Sequence, residues 1–424
     1  MSLIDRTIGT HHPLETEDCA ARQTRKWEAV RRVVDAAWTH CDEFAQRMKD
    51  AGLTPADLRS FEDFARIPVL RKKEIIGLQQ DKGLEAMLSC RAGDLGRIYM
   101  SPGPLFDPEG READYWGWAE GFYAAGFRPG DLVQMTFSYH LTPAGLMLEE
   151  PLRAIGCAVI PAGPGNTDVQ IELLTRLPVT GFVGMASYLK VIKDKAKKGG
   201  NDLAKAGRLR VAFVAAERLA ESLRRELEDE LGMLVRQGYG TADVGCIAYE
   251  CGQLTGMHVS SRAWVEICDP KTGLPLPPGE TGEVVVTPFP TSYPLVRLAT
   301  GDLSFFTTEP CACGRTSVRL GGIVGRVDAT AKVKGQFIYP HQVAEVAGAF
   351  PVINRWQVVV SNPGGRDAIA IRVELAGELD QEKFVKVFQD KLKLRPGIIV
   401  VAAGDIAPDA PPLTDDRTFE PVAS

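Results

Sequence analysis

Two cysteine-containing loops of the chain carry the residue types and spacing of a metal site. The candidate ligands are Cys251, His258, Cys311 and Cys313. The first two are separated by six residues and the last two by one, on either side of a β-rich segment. Three thiolates and one imidazole would complete a tetrahedral structural zinc site, with all four positions filled by protein and none left for a catalytic water. Alternatively, these are a buried cysteine and free loop thiols, and Cys246 or Cys268 could replace one ligand.

A second candidate site, for a nucleotide, is formed by polar and aromatic residues that follow short apolar runs. Glu217 follows the run from Val211, which puts it at the carboxyl end of a sheet, where open α/β folds bind ligands. In "GYGTAD" the glycines let the backbone approach a ligand, Tyr239 offers a face for a purine, and Asp243 offers an oxygen for a hard cation. The structural alternatives are a glutamate in the first turn of a helix for Glu217 and an ordinary turn for the glycine-rich stretch.

Alternating helical patterns and short apolar runs must position these residues. Up to residue 300, the runs "LVQMTF", "CAVIPAG", "GFVGM" and "LRVAFVAAE" are separated by helix-length segments such as 219–231. This alternation predicts an α/β domain with mixed or parallel sheets covered by helices. From Val265, "VEICDPKTGLPLPPGETGEVVVTPFP" predicts a β-rich segment with two strands joined through a Pro/Gly turn region.

A change of pattern after "GIVGRVDA" predicts a second, smaller domain of α+β type. Its elements are the strand-like "RWQVVVS" and "AIAIRVEL" and a helix from Gln381 to Leu392. We therefore expect a large domain at 1–325 and a small domain at 326–424. The proline-rich, acidic end "DIAPDAPPLTDDRTFEPVAS" reads as a loop.

Composition excludes several classes of protein. The chain has 424 residues, 45% hydrophobic and 25% charged, with a net charge of −6 and no basic cluster interleaved with aromatics, so a nucleic-acid partner is not expected. No stretch of the sequence predicts a membrane span, and the first residues lack the apolar core of a secretory signal. Nine scattered cysteines fit a reducing compartment, so we expect a cytoplasmic protein, with a homodimer as the candidate assembly.

Four sequence blocks in fixed order carry a family resemblance. They are "AAERL" from Ala215, "GYGTADVG" from Gly238, "PLVRLATGDL" from Pro294 and "GRVDATAKVKGQFIYPHQV" from Gly325. Together they resemble the acyl-adenylate-forming (AMP-binding) superfamily, and phenylacetate-CoA ligases most closely. The resemblance implies an acid–thiol ligase that joins a small carboxylic acid to AMP with ATP and Mg²⁺ and then passes the acyl group to coenzyme A. It also implies that the small domain is a lid that rotates between the two half-reactions.

The resemblance assigns roles to the nucleotide-site residues. Tyr239 would stack on adenine, Thr241 would contact the phosphate, and Asp302 would accept hydrogen bonds from both ribose hydroxyls. Asp243 would stand where the family has a magnesium-binding glutamate. The residues implied to bind the nucleotide or coenzyme A are Glu217, Tyr239, Gly240, Thr241, Asp302, Arg326 and Gly335. A turn or cap aspartate is the structural alternative for Asp302.

The small domain and the acyl pocket receive roles in the same way. Asp328 matches the family's hinge aspartate, although a plain linker is the alternative. Lys332, Lys334 and Gly335 match the loop that lines the thiol tunnel, and a solvated hairpin edge is the alternative. The pocket residues are Phe137, Tyr139 and His140. These aromatics suit an aryl or arylacetic acid whose carboxylate His140 could meet, or they form an aromatic core with one satisfied histidine. The predicted catalytic set is Asp243, Lys332, Lys334 and His140.

The stretch "IYMSPGPLFDPEG" stands in the place of the family's phosphate loop and departs from it. The stretch reads as a strand, a tight turn and the start of a helix. Ser101 and Gly103 remain, but three prolines remove amide donors, and Asp107 and Glu109 would repel phosphates. We therefore expect a rigid turn here.

A second departure lies in the tail. The family's adenylation lysine precedes an Asp-x-Arg element that here reads "TDDR", whereas the last lysine of this chain is Lys393. Adenylation from ATP is thus expected to be impaired, unless an arginine such as Arg326 or Arg417 replaces the lysine. The alternatives are a non-catalytic protein that binds a nucleotide or acyl-adenylate and acts with a pathway partner, and an enzyme that uses another nucleotide-linked donor.

Overall fold

The structure is a computed structural model that describes residues 5–101, 105–206, 208–327, 331–334, 336–338, 340–363, 366–408 and 410–418. The chain divides into two compact units, one up to Gly325 and one from Arg326 onward. A mobile role for the second unit stays a prediction.

The described part of the first unit contains ten α-helices, of which the longer ones bury apolar residues in the core. They are α1 (Cys19–His40), α2 (Asp42–Asp50), α3 (Phe61–Phe64), α4 (Lys72–Lys82), α5 (Ala119–Ala125), α6 (Ala144–Ile155), α7 (Thr167–Arg176), α8 (Ala186–Lys198), α9 (Leu203–Ala206) and α10 (Glu221–Leu231). Short 3₁₀ turns occur at Pro13–Thr16, Pro55–Asp57, Leu84–Met87 and Ala92–Asp94.

The strands up to the boundary between the units are mostly short and apolar. They are β1 (Leu70–Arg71), β2 (Arg97–Ser101), β3 (Leu105–Glu109), β4 (Leu132–Met135), β5 (Ala158–Pro161), β6 (Gly181–Gly184), β7 (Val211–Val214), β8 (Leu234–Thr241), β9 (Gly245–Glu250), β10 (Met257–Val259), β11 (Ala263–Cys268), β12 (Gly282–Pro288), β13 (Leu298–Ser304), β14 (Phe306–Thr307), β15 (Arg319–Leu320) and β16 (Gly325–Arg326).

One large sheet has the strand order β14-β15-β10-β9-β8-β7-β6-β4-β5. From β5 to β8 its pairs are parallel, and from β8 to β14 they are antiparallel. Strands β6 and β7 are buried along their whole length because helices cover both faces. The predicted α/β class with mixed and parallel sheets is confirmed.

A second sheet in this unit has the order β1-β13-β12-β11. Strands β11 and β12 pair antiparallel from Ala263↔Pro288 to Cys268↔Glu283, which confirms the predicted hairpin-type segment. The fully buried Arg297 precedes β13 and bonds the Glu266 carboxylate at 3.1 Å. A buried charge persists only with such partners, so this arginine fixes the segment before β13.

The second unit has its own hydrophobic core. Its elements are β17 (Ala331–Val333), β18 (Gln336–Ile338), α11 (Pro340–Gly348), β19 (Ile353–Ser361), β20 (Ala368–Leu375), α12 (Gln381–Leu392), β21 (Gly397–Val401) and β22 (Leu413–Asp415). The sheet order is β21-β20-β19-β22, and β17 and β18 form a separate antiparallel hairpin. Phe384 and Phe388 of α12 are fully buried in one cluster with residues of the hairpin and of the sheet.

Two local predictions are wrong. Leu105–Glu109 is a strand and not the start of a helix, because Leu105 and Asp107 are buried while Phe106 is 41% exposed, the alternation that suits pairing with β2. The tail is not all loop, because the buried Leu413 begins β22, which pairs parallel with β19.

Candidate functional site

Tyr239 and Asp302 meet where β8 ends beside the second sheet. Tyr239 lies on β8, and Asp302 lies within β13, whereas the sequence suggested a position after a strand. The Tyr239 hydroxyl donates to Asp302 Oδ2 at 2.9 Å and lies 3.2 Å from Thr300 Oγ1. Both side chains are half-buried, so the aromatic ring of Tyr239 and the carboxylate of Asp302 lie side by side and are both partly exposed to solvent.

Gly240 and Thr241 are the last two residues of β8. Gly240 sits at a β-bulge, where an added Cβ would lie 2.1 Å from the Gly245 carbonyl oxygen and 2.6 Å from the Trp118 ring. Glycine is therefore required here by packing, whether or not a ligand approaches. Thr241 Oγ1 is buried, and in the described part of the chain no group hydrogen-bonds to it. A buried hydroxyl without a partner is unusual, and it could bind a ligand oxygen.

Glu217 follows β7 but serves a neighbouring helix. Its two carboxylate oxygens accept from the backbone N–H and the hydroxyl of Ser187, at 2.7 and 2.8 Å, in the first turn of α8. The preceding residue, Ala216, has a φ of +72°, a strained conformation for alanine that often marks a functional loop. The structure thus gives Glu217 the helix-start role, on a different helix from the one that the sequence suggested.

Asp243 lies in the turn between β8 and β9 and is buried. Lys72 Nζ lies 3.4 Å from Asp243 Oδ2, while Asp243 Oδ1 has no hydrogen-bond partner among the described residues. The fully buried Asp107 of β3 is close enough for electrostatic repulsion with Asp243. Burial, together with the Asp243 charge, raises the pKa of Asp107 to about 7.

Neither Lys72 nor the burial of Asp107 was found from a local pattern in the sequence. Lys72 begins α4 and is far from Asp243 along the chain, so no local pattern joins the two. The burial of Asp107 was not expected because the start of a helix was predicted for this stretch. The alternation Leu105, Phe106, Asp107 is the signal that could have placed Asp107 on the buried face of a strand.

Glu109, the other acid of this stretch, is also buried and partnered. Its carboxylate accepts from Arg97 at 2.7 Å and from the Tyr99 hydroxyl at 2.5 Å. Arg97 also pairs with Glu150 at 2.6 Å. Residues 102–104, which include Gly103, lie outside the described residues. Within the described part of β2 and β3, the buried acids are therefore Asp107 and Glu109, and the one cation, Arg97, is paired with carboxylates.

The three pocket residues do not share one environment. Phe137 and Tyr139 are half-buried beside the main core, whereas His140 is exposed. The Tyr139 hydroxyl donates to Glu149 Oε2 at 2.7 Å, and burial with this bond raises its pKa. Tyr139 is therefore held in place by α6, whereas His140 is held through its backbone: its N–H donates to Ser138 Oγ at 3.2 Å and its carbonyl accepts from the Thr142 N–H at 2.8 Å.

The four cysteine and histidine residues of the proposed zinc site come together. Cys251 follows β9, His258 lies on the adjacent β10, and the loop between β14 and β15 brings the last two cysteines to the same edge. All four ligand atoms lie within 4.8 Å of one another. Cys251 Sγ is 3.7 Å from Cys311 Sγ, and Cys313 Sγ is 3.3 Å from His258 Nε2. Sulfurs bound at ~2.3 Å to a tetrahedral zinc would be about 3.8 Å apart, so the donor set fits that ion.

Backbone and side-chain groups support this cluster. The amide N–H groups of Gln253 and Arg315 point at Cys251 and Cys313 sulfurs, at 3.4 and 3.5 Å. His258 Nδ1 lies 3.2 Å from Ser317 Oγ, which orients the ring so that Nε2 faces the cysteines.

The N-terminal segment braces the same loop, a feature that the sequence analysis missed. Arg315 donates to the buried Glu15 carboxylate at 2.6 Å and to the Gly9 carbonyl at 3.0 Å. The Thr316 N–H donates to the Glu15 carbonyl at 3.0 Å. About 300 residues separate the partners in sequence, so no spacing rule could have paired them.

The remaining predicted residues lie in and around the second unit. Arg326 ends β16, Lys332 lies on β17, and Lys334 occupies the turn before β18, where it is exposed. Asp328 and Gly335 lie outside the described residues. The functional roles of all these residues stay predictions.

Comparison with known proteins shows which families this chain resembles. Residues 121–288 match the family described as AMP-binding enzyme. The chain is 29% identical to the phenylacetate-coenzyme A ligase of Thermus thermophilus over 378 residues, covering 86% of this chain and 84% of the relative. It is 28% identical to the phenylacetate-coenzyme A ligase of Pseudomonas putida over 382 residues, with the same coverage.

A solved structure shows the same fold. A crystal structure of 2-hydroxyisobutyryl-CoA ligase, in complex with 2-HIB-AMP and CoA, matches with a TM-score of 0.87 and 24% identity, covering 95% of this chain and 91% of that chain. The predicted resemblance to the acyl-adenylate-forming superfamily, and the prediction of an acyl-CoA-ligase-like enzyme, are confirmed. Over the residues that the structure covers, no helix has both the length and the apolar character needed to cross a bilayer.

Proposed function

We propose that this chain, whose residues 121–288 match the AMP-binding enzymes, converts an aromatic or other small carboxylic acid into its coenzyme A thioester through an acyl-adenylate. The observation that carries the proposal is the hydrogen bond between Tyr239 and Asp302, which puts an aromatic face and a carboxylate side by side. The similarity to phenylacetate-CoA ligases supports the same reaction class.

In this proposal the nucleotide binds at the end of β8. The Tyr239 ring lies against adenine, Asp302 accepts from the ribose hydroxyls, and the Thr241 hydroxyl, which has no partner among the described residues, contacts the phosphate. Glu217 shapes the adjoining loop through Ser187 and does not need to touch the ligand. Asp243 Oδ1, buried and unpartnered among the described residues, would hold Mg²⁺, which would neutralise phosphate charge.

The reaction has two balanced steps. A carboxylate oxygen of the acid attacks the α-phosphorus of ATP, and pyrophosphate leaves. The coenzyme A sulfur then attacks the acyl carbon, AMP leaves, and the thiol proton passes to solvent. In our proposal the second unit supplies Lys332 and Lys334 to the thiol step, and Asp328 is the hinge.

We further propose that the first step is slow in this protein. Asp107 is buried beside Asp243, and Glu109 is neutralised by Arg97, so β3 supplies no cation to the departing pyrophosphate. No lysine follows Lys393 in the sequence to stabilise charge on the transferring phosphoryl group. Removal of such an electrostatic partner costs roughly 10²- to 10³-fold in rate.

The acid is proposed from the pocket residues. Half-buried Phe137 and Tyr139 favour an aryl or arylacetic acid, and the relatives named phenylacetate-coenzyme A ligase agree with that class. His140 is exposed on the same loop and would meet the carboxylate only if the loop closes over the acid.

The cysteine and histidine cluster is proposed to hold a structural zinc. Cys251, His258, Cys311 and Cys313 would be its ligands. Zinc here would stabilise the edge of the large sheet and the loop that Glu15 and Arg315 brace, with no role in the chemistry. Cytoplasmic location and a homodimer stay predictions.

The second candidate is a non-catalytic protein that binds a nucleotide or acyl-adenylate. The buried Asp107 and Asp243 pair favours it, because two carboxylates near the phosphate position oppose ATP more than AMP. Turnover of a supplied acyl-adenylate separates the two candidates.

The nucleotide site is tested with calorimetry. AMP should bind the intact protein, and Asp302→Ala should weaken binding by about 1.5–3 kcal/mol, because bonds to a charged acceptor are lost. Asp269→Ala, in an exposed turn, is the matched control and should leave AMP affinity unchanged. Absence of AMP binding to the unaltered protein would reject the site.

A further inference from the structure

Arg417, in the tail, holds two carboxylates of the second unit. Its Nε and Nη2 donate to the two oxygens of Asp415 at 2.8 and 2.5 Å, and its Nη1 donates to Asp367 Oδ2 at 3.2 Å. The arginine side chain is only 13% exposed. Both carboxylates raise the pKa of Arg417 and offset its desolvation, so the guanidinium is a charged, fixed group.

The shared carboxylate reaches the turn of the lysine hairpin. Asp367 Oδ2, which accepts from Arg417, also lies 3.4 Å from the backbone nitrogen of Lys334, which points its N–H at it. Lys334 has a φ of +47°, a left-handed conformation that costs a non-glycine residue roughly 1 kcal/mol or more. A turn of this kind persists only when its surroundings hold it, and Asp367 is one group that contacts it among the described residues.

These hydrogen bonds connect the tail to the hairpin of β17 and β18 within one unit. Asp367 is the residue that contacts both. The hairpin also packs on the hydrophobic core of that unit, because Val333 and Ile338 are buried in its core cluster. Packing therefore fixes the two strands, while Asp367 contacts the turn at Lys334.

We propose that Arg417 and Asp367 are positioning residues for thioester formation, and that Arg417 is not the cation that replaces the missing adenylation lysine. The inference rests on the proposed function, in which this hairpin serves the thiol step. Two carboxylates already bind the guanidinium, so moving Arg417 to a nucleotide phosphate would break its bonds to Asp415 and Asp367.

The test measures thioester formation apart from adenylation. Purified full-length protein receives chemically prepared phenylacetyl-AMP and coenzyme A, and acyl-CoA is followed over time. Arg417→Lys keeps the charge but loses the fork, and Asp367→Asn keeps the shape but loses the charge. Each should lower kcat/KM for coenzyme A by about 10- to 100-fold, as expected when a group is slightly misplaced. AMP affinity and melting temperature should stay near those of the unaltered protein.

Hydrogen exchange supplies a readout that does not depend on turnover. The peptide that contains Lys334 should exchange faster in both variants, while a peptide from β19 and β20 should not change. Asp405→Asn is the matched control, since Asp405 also accepts one backbone N–H, that of Ala402 at 3.0 Å, in another turn of the same unit.

The outcomes separate the two claims. If the unaltered protein makes no thioester from any supplied acyl-adenylate, the proposed function fails and this inference fails with it. Normal thioester rates in both variants, with an active unaltered protein, overturn the inference alone. Loss of ATP-dependent adenylation in Arg417→Lys with an intact thiol step would instead make Arg417 the substitute cation and would also overturn it.

Discussion

Asp107 and Asp243 are two buried carboxylates close enough to repel each other, with Lys72 beside one of them. Burial makes the ionised form of Asp107 costly, and the Asp243 charge adds to that cost. Asp107 therefore retains its proton up to about neutral pH.

The pH dependence of stability follows from the raised pKa of Asp107, about 7 against an ordinary value of 3.8. The folded state binds the extra proton between these values, so this stability is complete below pH 3.8 and is lost as pH rises through 7. Asp107→Asn removes the penalty. The variant should gain about 1–3 kcal/mol in free energy of unfolding at pH 8 relative to its change at pH 5, measured by urea denaturation.

Asp269→Asn is the control for that experiment. Backbone hydrogen bonds from Thr272 and Lys271 lower the pKa of Asp269, so its removal should give no gain at pH 8. An equal effect of Asp107→Asn at both pH values would contradict the account of the buried pair.

Tyr239→Phe tests whether Tyr239 and Asp302 act together in the proposed nucleotide site. The variant keeps the ring and loses the hydroxyl that donates to Asp302 at 2.9 Å. AMP affinity should fall by about 2- to 10-fold, a loss of roughly 0.5–1.5 kcal/mol, because Asp302 is less well oriented. Calorimetry on Tyr239→Phe, Asp302→Ala and the double variant should show non-additive losses. Strict additivity would mean that the hydroxyl does not orient Asp302, and Tyr188→Phe serves as the control.

The sequence allowed Tyr239 and Asp302 to be chosen as single residues because their blocks, "GYGTADVG" and "PLVRLATGDL", resemble those of the acyl-adenylate-forming superfamily. It did not allow Asp107 to be placed. The face of β3 on which Asp107 lies depends on the pairing of β3 with β2. That pairing could not be predicted because the stretch contains three prolines, which are unusual inside paired strands.

At the scale of elements, adjacent strand ends gather the cysteine and histidine ligands. Antiparallel pairing of β9 with β10 sets His258 opposite Tyr249, two residues from Cys251. Pairing of β10 with β15 brings the cysteine loop to the same edge. The residue types, their spacing and the family resemblance together predicted these four ligands, although His258 and Cys311 are far apart in sequence and are brought together by the pairing of β10 with β15. Spacing could not predict the brace from Glu15, which depends on contacts across the whole unit.

Zinc analysis tests the cluster. The protein should contain about one zinc per chain, and Cys313→Ser should lower the melting temperature by more than about 5 °C, because metal binding contributes to folding. The exposed Cys19 supplies the control, since Cys19→Ser removes a thiol outside the cluster and should change neither value. Metal-free protein with an unchanged melting temperature would end the zinc proposal.

At the scale of the whole molecule, two units with separate cores fit a reaction in two steps. The boundary near residue 326 could be predicted because the pattern of strands and helices changes there. Each unit builds its strands and helices around its own hydrophobic core. The predicted hinge at Asp328 and the tunnel glycine Gly335 lie outside the described residues, so their roles depend on the family resemblance. The division of labour between adenylation and thioester formation is therefore the central claim.

The most direct measurement compares two routes to the same thioester with one enzyme preparation. One route supplies ATP, Mg²⁺, phenylacetic acid and coenzyme A; the other supplies phenylacetyl-AMP and coenzyme A. We predict acyl-CoA from the second route at a rate roughly 100-fold or more above the first, since in our proposal adenylation is the step that lacks its lysine. Acyl-CoA from the ATP-dependent route at an ordinary rate, of order 1–10 per second, would contradict the account.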